Sequence, residues 1–292
     1  MRIDLHTHSA RSDGTTTPQE VVLAAAAAGL DVVALTDHDT AAGWDEAVGA
    51  AQEAGIALVR GMEISCKHAG RPLHLLAYLP DPEHEGLQGE LRRILDGRDQ
   101  RLPRICERLR EQGISIDEEL VAAHAVGAAA IGRPHVADAL VSLGVVSSRD
   151  EAFDRYLSPG RPGYVQRYAP ELTHMLPIVR DAGGVSVIAH PWGRTDSSAL
   201  RAEGLAPLKA LGLAGLEVDH QDHSLRQREE LWGIACDLDL VVTGSSDFHG
   251  AGKVDHDLGC NTTAPEQLER LEELAREAGR AAGRRTPEVV RG

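Results

Sequence analysis

The sequence predicts an α/β protein: a closed or nearly closed β/α barrel of about seven strands that carries a helical insertion. Three observations predict it. Short apolar runs alternate with helical stretches through residues 1–80 and again from 171, the pattern of a parallel sheet with crossover helices. Between them, residues 81–170 show charged, helical periodicity and no convincing strand. Histidines and carboxylates recur at the ends of the expected strands, where parallel α/β architectures assemble their sites. Residues 1–80 and 171–292 are therefore read as the barrel and 81–170 as the insertion.

The elements follow in order. Ile3 and Leu5 mark a first strand. Thr17-Pro18-Gln19-Glu20 has the form of a helix start, with Thr17 as N-cap, proline at the first helical position and Glu20 completing a capping box. That helix runs through the alanines to Gly29. Asp31 to Thr36 is a buried strand, and a second helix spans about Gly43 to Ala54. Ile56 to Val59 is the third strand and Pro72 to Tyr78 the fourth. In the insertion, Leu91 to Leu109 is amphipathic, Asp117 opens another such stretch, and Gly132-Arg133-Pro134-His135 heads a helix to Leu143. Alternation resumes with a helix from Glu171 to Ala182 and a strand from Val185 to Ala189. Further strands are expected at 215–218 and 240–244, with helices at 205–211 and 225–236. A charged helix runs from beyond Thr262 to about Ala282, and 284–292 is read as frayed.

Composition narrows the function. The 292 residues are 42% hydrophobic but only 3% aromatic, so stacking platforms for single-stranded nucleic acid are scarce. A net charge of −15 argues against a broad footprint for duplex DNA or a membrane surface. No apolar run approaches the roughly 20 residues of a membrane span, and no signal peptide is visible. Four scattered cysteines (Cys66, Cys106, Cys236, Cys260) form no CxxC pair and suit a reducing compartment. The expectation is a soluble cytoplasmic protein with no obligate protein partner implied.

The 14 histidines are the compositional outlier. His6 and His8 stand two residues apart on the first strand, so they project from one face. Asp37-His38-Asp39 follows the second strand and Glu63 the third. His74 lies on the fourth, His190 follows the fifth, and Asp247 with His249 follows the last. So many buried polar groups on one rim would be costly unless something compensates them. A multinuclear metal site does so, and imidazole nitrogen with carboxylate oxygen and no thiolate fits Mn²⁺, Fe²⁺ or Zn²⁺. His68, His84, His124, His174 and His256 are assigned to the surface, and Cys66 is read as structural.

The motifs DLHTHS from Asp4, SDG from Ser12, LTDHDT from Leu35, GMEIS from Gly61, AHPWG from Ala189 and SSDFHG from Ser245 resemble those of the PHP (polymerase and histidinol phosphatase) superfamily. That resemblance implies a distorted seven-stranded β/α barrel with two to three divalent ions, Mn²⁺ foremost. It implies one ion on His6, His8, Glu63 and Asp247. Glu63 would bridge to a second, completed by His74 and His190, and a third would use Asp13, His38 and His249. Asp247 and His249 thereby count as catalytic. Asp4, Asp37 and Asp39 are expected to fix histidine tautomers.

More closely, GRPH at Gly132 and the insertion resemble the bacterial PHP phosphoesterases of nucleoside 3′,5′-bisphosphates and short oligoribonucleotides, among them 5′-3′ exoribonucleases. The implied reaction is phosphate-ester hydrolysis by metal-activated hydroxide on a small phosphorylated substrate. Arg133 and His135 at a helix start, and Arg194 after the Trp192-Gly193 turn, are the expected substrate-phosphate residues. His220 and His223 follow the sixth strand; one could protonate the leaving oxygen, or both could orient substrate. The alternatives are a histidinol-phosphate phosphatase and an amidohydrolase-like C–N hydrolase.

Overall fold

The computed structural model describes residues 1–193 and 200–292. Seven strands form one sheet in sequential order: β1 (Ile3–Asp4), β2 (Val32–Leu35), β3 (Ala57–His68), β4 (Arg71–Tyr78), β5 (Val185–Ile188), β6 (Leu213–Asp219) and β7 (Val241–Gly244). The ends of the sheet approach each other. Thr7 bridges Phe248, His8 donates its amide to the Phe248 carbonyl at 2.8 Å, and Thr263 donates to Ile3 at 2.8 Å. The result is a nearly closed barrel.

Strand alternation sorts the core. Ile3, Leu5, Val32 and Ala34 point inward with Val59, Leu76 and Tyr78, where they meet Leu268 and Leu271 of helix α11 (Pro265–Ala282). Val33, Leu35 and Leu58 point outward. They join the layer formed with α1 (Pro18–Ala27), α2 (Trp44–Ala54), α8 (Leu172–Asp181), α9 (Ala202–Ala210) and α10 (Leu225–Asp237). The capping box at α1 is present as expected, with Thr17 and Glu20 each bonding the other's backbone.

Two expectations change. The third strand is far longer than 56–59, and it pairs antiparallel with β4, which in turn pairs antiparallel with β5. Gly61 reads as a break in the sequence, but a Cβ there would lie 2.9 Å from Thr36 Cγ2. The glycine marks a tight approach within a continuing strand. Ala69 and Gly70 both adopt positive φ, 49° and 75°, which suits a two-residue hairpin and removes the need for a crossover helix. The C-terminal tail is also not frayed. Val290 exchanges two 2.9 Å backbone hydrogen bonds with Leu58, covering the part of β3 that precedes its pairing with β4.

Between β4 and β5 lie α3 (Glu85–Asp99), α4 (Leu102–Glu111), α5 (Glu118–Ala122), α6 (Arg133–Ser142) and α7 (Arg149–Ala152), which passes into a π-helical turn over Phe153–Leu157. Leu102, Ile105, Leu109, Val136, Leu140 and Leu157 form an apolar cluster of their own there. Among the described residues, no helix is long and apolar enough to cross a membrane.

Candidate metal centre

His6 and His8 leave the end of β1 with their Nε2 atoms 3.0 Å apart. Glu63 Oε2 lies 3.2 Å from one and 3.1 Å from the other, and Asp247 Oδ1 lies 3.5 and 3.4 Å away. All four side chains are buried. Glu63 turns its second oxygen to a different set: Oε1 is 2.8 Å from His74 Nδ1 and 3.1 Å from His190 Nε2. His74 Nδ1 is buried and makes no hydrogen bond despite that approach, the geometry of a ligand nitrogen rather than of a donor. Asp13 Oδ1 is 3.3 Å from His249 Nε2, and its Oδ2 is 3.7 Å from His38 Nε2. The His38 Nδ1 atom is 3.1 Å from Glu63 Oε2.

Four overlapping donor groups result among the described residues: His6, His8, Glu63 and Asp247; His38, Glu63 and His74; His8, Asp13, His38 and His249; and His220, Asp247 and His256. Within each, the donor atoms lie within 4.8 Å of one another. No thiolate joins any of them among the described residues, so the donor chemistry fits a divalent ion of nitrogen–oxygen preference.

The electrostatics agree. Burial acts to raise the carboxyls of Asp13, Glu63 and Asp247, yet each is held well below the usual carboxylate range: Asp13 and Glu63 chiefly by imidazoles, Asp247 by Lys253 as well as imidazoles. Burial likewise acts to lower His8, but Asp247 and Glu63 push it up to about 9. For His190 and His249 burial wins, and both fall to about 4. His190 and His249 are thus neutral donors beside anionic carboxylates, as a cation requires, whereas His8 must give up a proton to bind one. Two of the strand-end residues, Asp247 (φ 53°) and His190 (φ 28°), sit in left-handed backbone, a conformation that concentrates at functional sites.

Comparison with known proteins agrees with this geometry. A family model described as the PHP domain matches residues 4–120. The chain is 36% identical over 271 residues to a 3′,5′-nucleoside bisphosphate phosphatase of Chromobacterium violaceum, covering 90% of this chain and 92% of the relative. This chain belongs to the PHP family. It is also 35% identical over 248 residues to a 5′-3′ exoribonuclease of Haemophilus influenzae, covering 85% of this chain and 90% of the relative. A crystal structure assigned as a metal-dependent phosphoesterase from Bifidobacterium adolescentis is similar with a TM-score of 0.88 and 39% identity. It covers 93% of this chain and 96% of that one. The chain is thus a hydrolase of the metal-dependent phosphoesterase class.

Around the PHP centre, the supporting residues differ from those expected. Among the described residues, Asp4, Asp37 and Asp39 make no hydrogen bond or ion pair with an imidazole nitrogen. Asp4 accepts from the amides of Ser246 and Gly259 at 3.0 and 2.9 Å. Asp37 accepts from Ser9 and Ser12, and Asp39 from Ser65 and Arg98. These carboxylates clamp the loops that carry the histidines. The tautomer of His6 is set instead by Glu217 on β6, whose Oε1 accepts from Nδ1 at 3.0 Å. Glu217 also receives the His190 amide at 2.8 Å and the Ser245 hydroxyl. Its position in an apolar strand run concealed it.

His220 accepts the Asp222 amide on Nδ1 at 3.1 Å, so its Nε2 carries the proton toward Asp247 Oδ2 at 3.3 Å. His223 is occupied by backbone on both sides. Its Nδ1 donates to Val218 at 2.8 Å and its Nε2 accepts the Trp192 amide at 3.1 Å, leaving neither nitrogen for a leaving oxygen. The structure therefore gives His223 a loop-bracing task in place of proton transfer. His256, expected on the surface, is buried and donates to the Ser246 carbonyl at 2.7 Å. Lys253 pairs with Asp247 Oδ2.

The donor groups open onto a cleft of about 570 Å³ that Lys253, Ser158 and Phe153 also line. Arg133 lines an adjoining cavity with His74 and His190. Its guanidinium lies 5.3 Å from the Phe153 ring centroid and donates to the Leu157 carbonyl at 2.8 Å. His135 is not beside it. Three residues into the α6 start, its Nδ1 accepts the Gly132 amide at 2.9 Å, and the ring faces a separate cavity near Gly14 and Thr15. Arg194 lies outside the described residues.

Proposed function

We propose that this PHP protein hydrolyses a phosphate ester of a nucleotide, either the 3′-phosphate of a nucleoside 3′,5′-bisphosphate or the terminal linkage of a short oligoribonucleotide. The observation that carries the reading is the set of overlapping donor groups, two of which share Glu63, in a chain aligned over nine-tenths of its length with a nucleoside bisphosphate phosphatase. His6, His8, Glu63 and Asp247 would hold one divalent ion, Glu63, His74 and His190 a second, and Asp13, His38 and His249 a third, with Mn²⁺ the foremost candidate. Bound ions supply Lewis acidity toward the phosphoryl oxygens and a water that ionises near neutral pH.

The chain's own residues do the rest. Glu217 keeps the His6 proton on Nδ1, so that Nε2 presents a lone pair to the cluster. His220 holds Asp247 in orientation. Lys253 and Arg133 supply cations at the cleft and the adjoining cavity, where a phosphate dianion must approach a protein of net charge −15. Apolar walls from Pro72, Leu73, Phe153 and Pro191 suit a nucleoside.

The test is a Mn²⁺-loaded assay of adenosine 3′,5′-bisphosphate, short RNA and histidinol phosphate in parallel. Release of phosphate or nucleotide from the first two is expected. Turnover of histidinol phosphate alone, or of none of the three, would sink the nucleotide reading.

A further inference from the structure

One side chain of the helical insertion reaches back into the loops that carry the metal donors. Arg149, the first residue of α7, grips Asp138 of α6 with both prongs of its fork. Nε lies 2.6 Å from one carboxylate oxygen and Nη2 2.7 Å from the other. The remaining nitrogen, Nη1, donates to the backbone carbonyl of Asp13 at 2.9 Å. The side chain is 13% exposed. Burial acts to lower the guanidinium, but Asp138 first and Asp13 after it raise it above the ordinary arginine value. A planar fork seated on both oxygens of a carboxylate has one orientation, so the direction of Nη1 is fixed as well.

Three segments meet at this contact. Asp13 and His249 share a donor group with His8 and His38, but they arrive from opposite edges of the sheet, Asp13 after β1 and His249 after β7. Thr15 ties the two loops together: its amide donates to the His249 carbonyl at 3.1 Å, and its hydroxyl accepts from the Ala251 amide at 2.9 Å. The insertion holds the first loop at a second point, where Ala129 donates to the Arg11 carbonyl at 2.9 Å. Gly252 leaves room for the guanidinium, since a Cβ there would lie 3.0 Å from Arg149 Cζ. Arg149 and Asp138 neutralise each other, so the pair brings little net charge to Asp13. What it brings is position, and donor atoms must be held closely to bind an ion well.

We propose that Arg149 is a positioning residue for the ion on Asp13, His38 and His249. Anchored on Asp138, it fixes the Asp13 backbone and so the reach of its carboxylate, which makes the insertion a working part of that site. The inference rests on the three-ion reading above and deepens it.

The experiment is a calorimetric titration of Mn²⁺ into the EDTA-treated full chain. Wild type should take three ions. In R149M one of them should bind at least about tenfold more weakly, and the two whose donors include neither Asp13 nor His249 should bind as before. D138N, which loosens the fork, should weaken the same ion. R149K keeps the charge but loses the fork, so it should show part of the loss. A role through charge alone predicts the opposite for R149M, tighter binding, and no change for R149K. Circular dichroism checks folding, and R149K carries the test if R149M does not fold.

Three ions bound by R149M and R149K as tightly as by wild type would overturn the proposal and leave the three-ion reading intact. Tighter binding by R149M, or an equal loss at all three ions, would overturn it too, the first assigning Arg149 to charge and the second to general stability. Wild type that takes only two ions would defeat the three-ion reading and, with it, the task given to Arg149.

Discussion

Glu63 is the residue on which the centre turns, because its two oxygens face different imidazoles. Its neighbours divide into those that present donor atoms and those that hold the donors still. Asp247→Ala removes a donor, and kcat should fall by at least about 10²–10³-fold with the circular dichroism spectrum retained; near-normal turnover would exclude Asp247 from the centre. Glu217→Gln keeps the volume on β6 but weakens the grip on His6, the His190 amide and Ser245. Metal affinity should drop roughly 10–100-fold, read by Mn²⁺ titration of the stripped protein, and an unchanged affinity would assign Glu217 to folding alone. The donors other than His74, which lies within β4, were legible in sequence because they stand in short polar motifs at or after the expected strand ends. Glu217 was not, since Gly215-Leu-Glu-Val218 reads as an ordinary buried strand. Lys253 and Arg98 were illegible for another reason: their meaning lies in the carboxylates they reach, Asp247 and Asp39.

The elements show where local signals suffice and where they fail. The α1 capping box is purely local, and both of its reciprocal hydrogen bonds form. Thr17→Ala should cost about 1 kcal/mol in urea unfolding without altering Mn²⁺ affinity; a change in affinity would mean that α1 communicates with the metal loops. The β3–β4 hairpin is hidden in the sequence because Ala69-Gly70 is a weak turn signal and the alternation around it implies parallel strands. A further local device sits at α7. There Glu151 accepts from the Ser147 amide and hydroxyl at 2.7 Å each and from Arg155, which together hold its carboxyl down to about 2. A carboxyl lowered in the folded state stabilises above its unfolded value and loses that contribution as pH falls through the folded one. The urea midpoint of wild type should therefore exceed that of Glu151→Gln above about pH 4.5. The two should converge as pH approaches 2, and a constant gap would remove the carboxylate as the cause.

At the scale of the molecule, the barrel is closed at one end by polar groups rather than by hydrophobic packing. The donors come from both edges of the sheet: His6 and His8 follow β1 at one end, and Asp247 and His249 follow β7 at the other. The direct closure between those edges is slight, a bridge from Thr7 to Phe248 and hydrogen bonds such as His8 to Phe248 and Thr263 to Ile3. Before metal binds, Lys253 supplies one positive charge to Asp247, Arg149 stands beside Asp13, and Glu63 is balanced by imidazoles. Ions bound to the folded state alone add RT ln(1 + [L]/Kd), roughly 2.7 kcal/mol at a hundredfold excess over Kd. For a chain of 292 residues that corresponds to a rise in Tm of about 4–5 °C. Thermal unfolding of EDTA-treated protein, followed with and without Mn²⁺, should show a rise of that size. Asp247→Ala should lose most of it, because its removal uncouples the β7 edge from the ion held by His6 and His8. Thr17→Ala should keep it in full, since its lesion is local to α1. A rise that persists undiminished in Asp247→Ala would mean that the ions stabilise one edge of the sheet without joining the two.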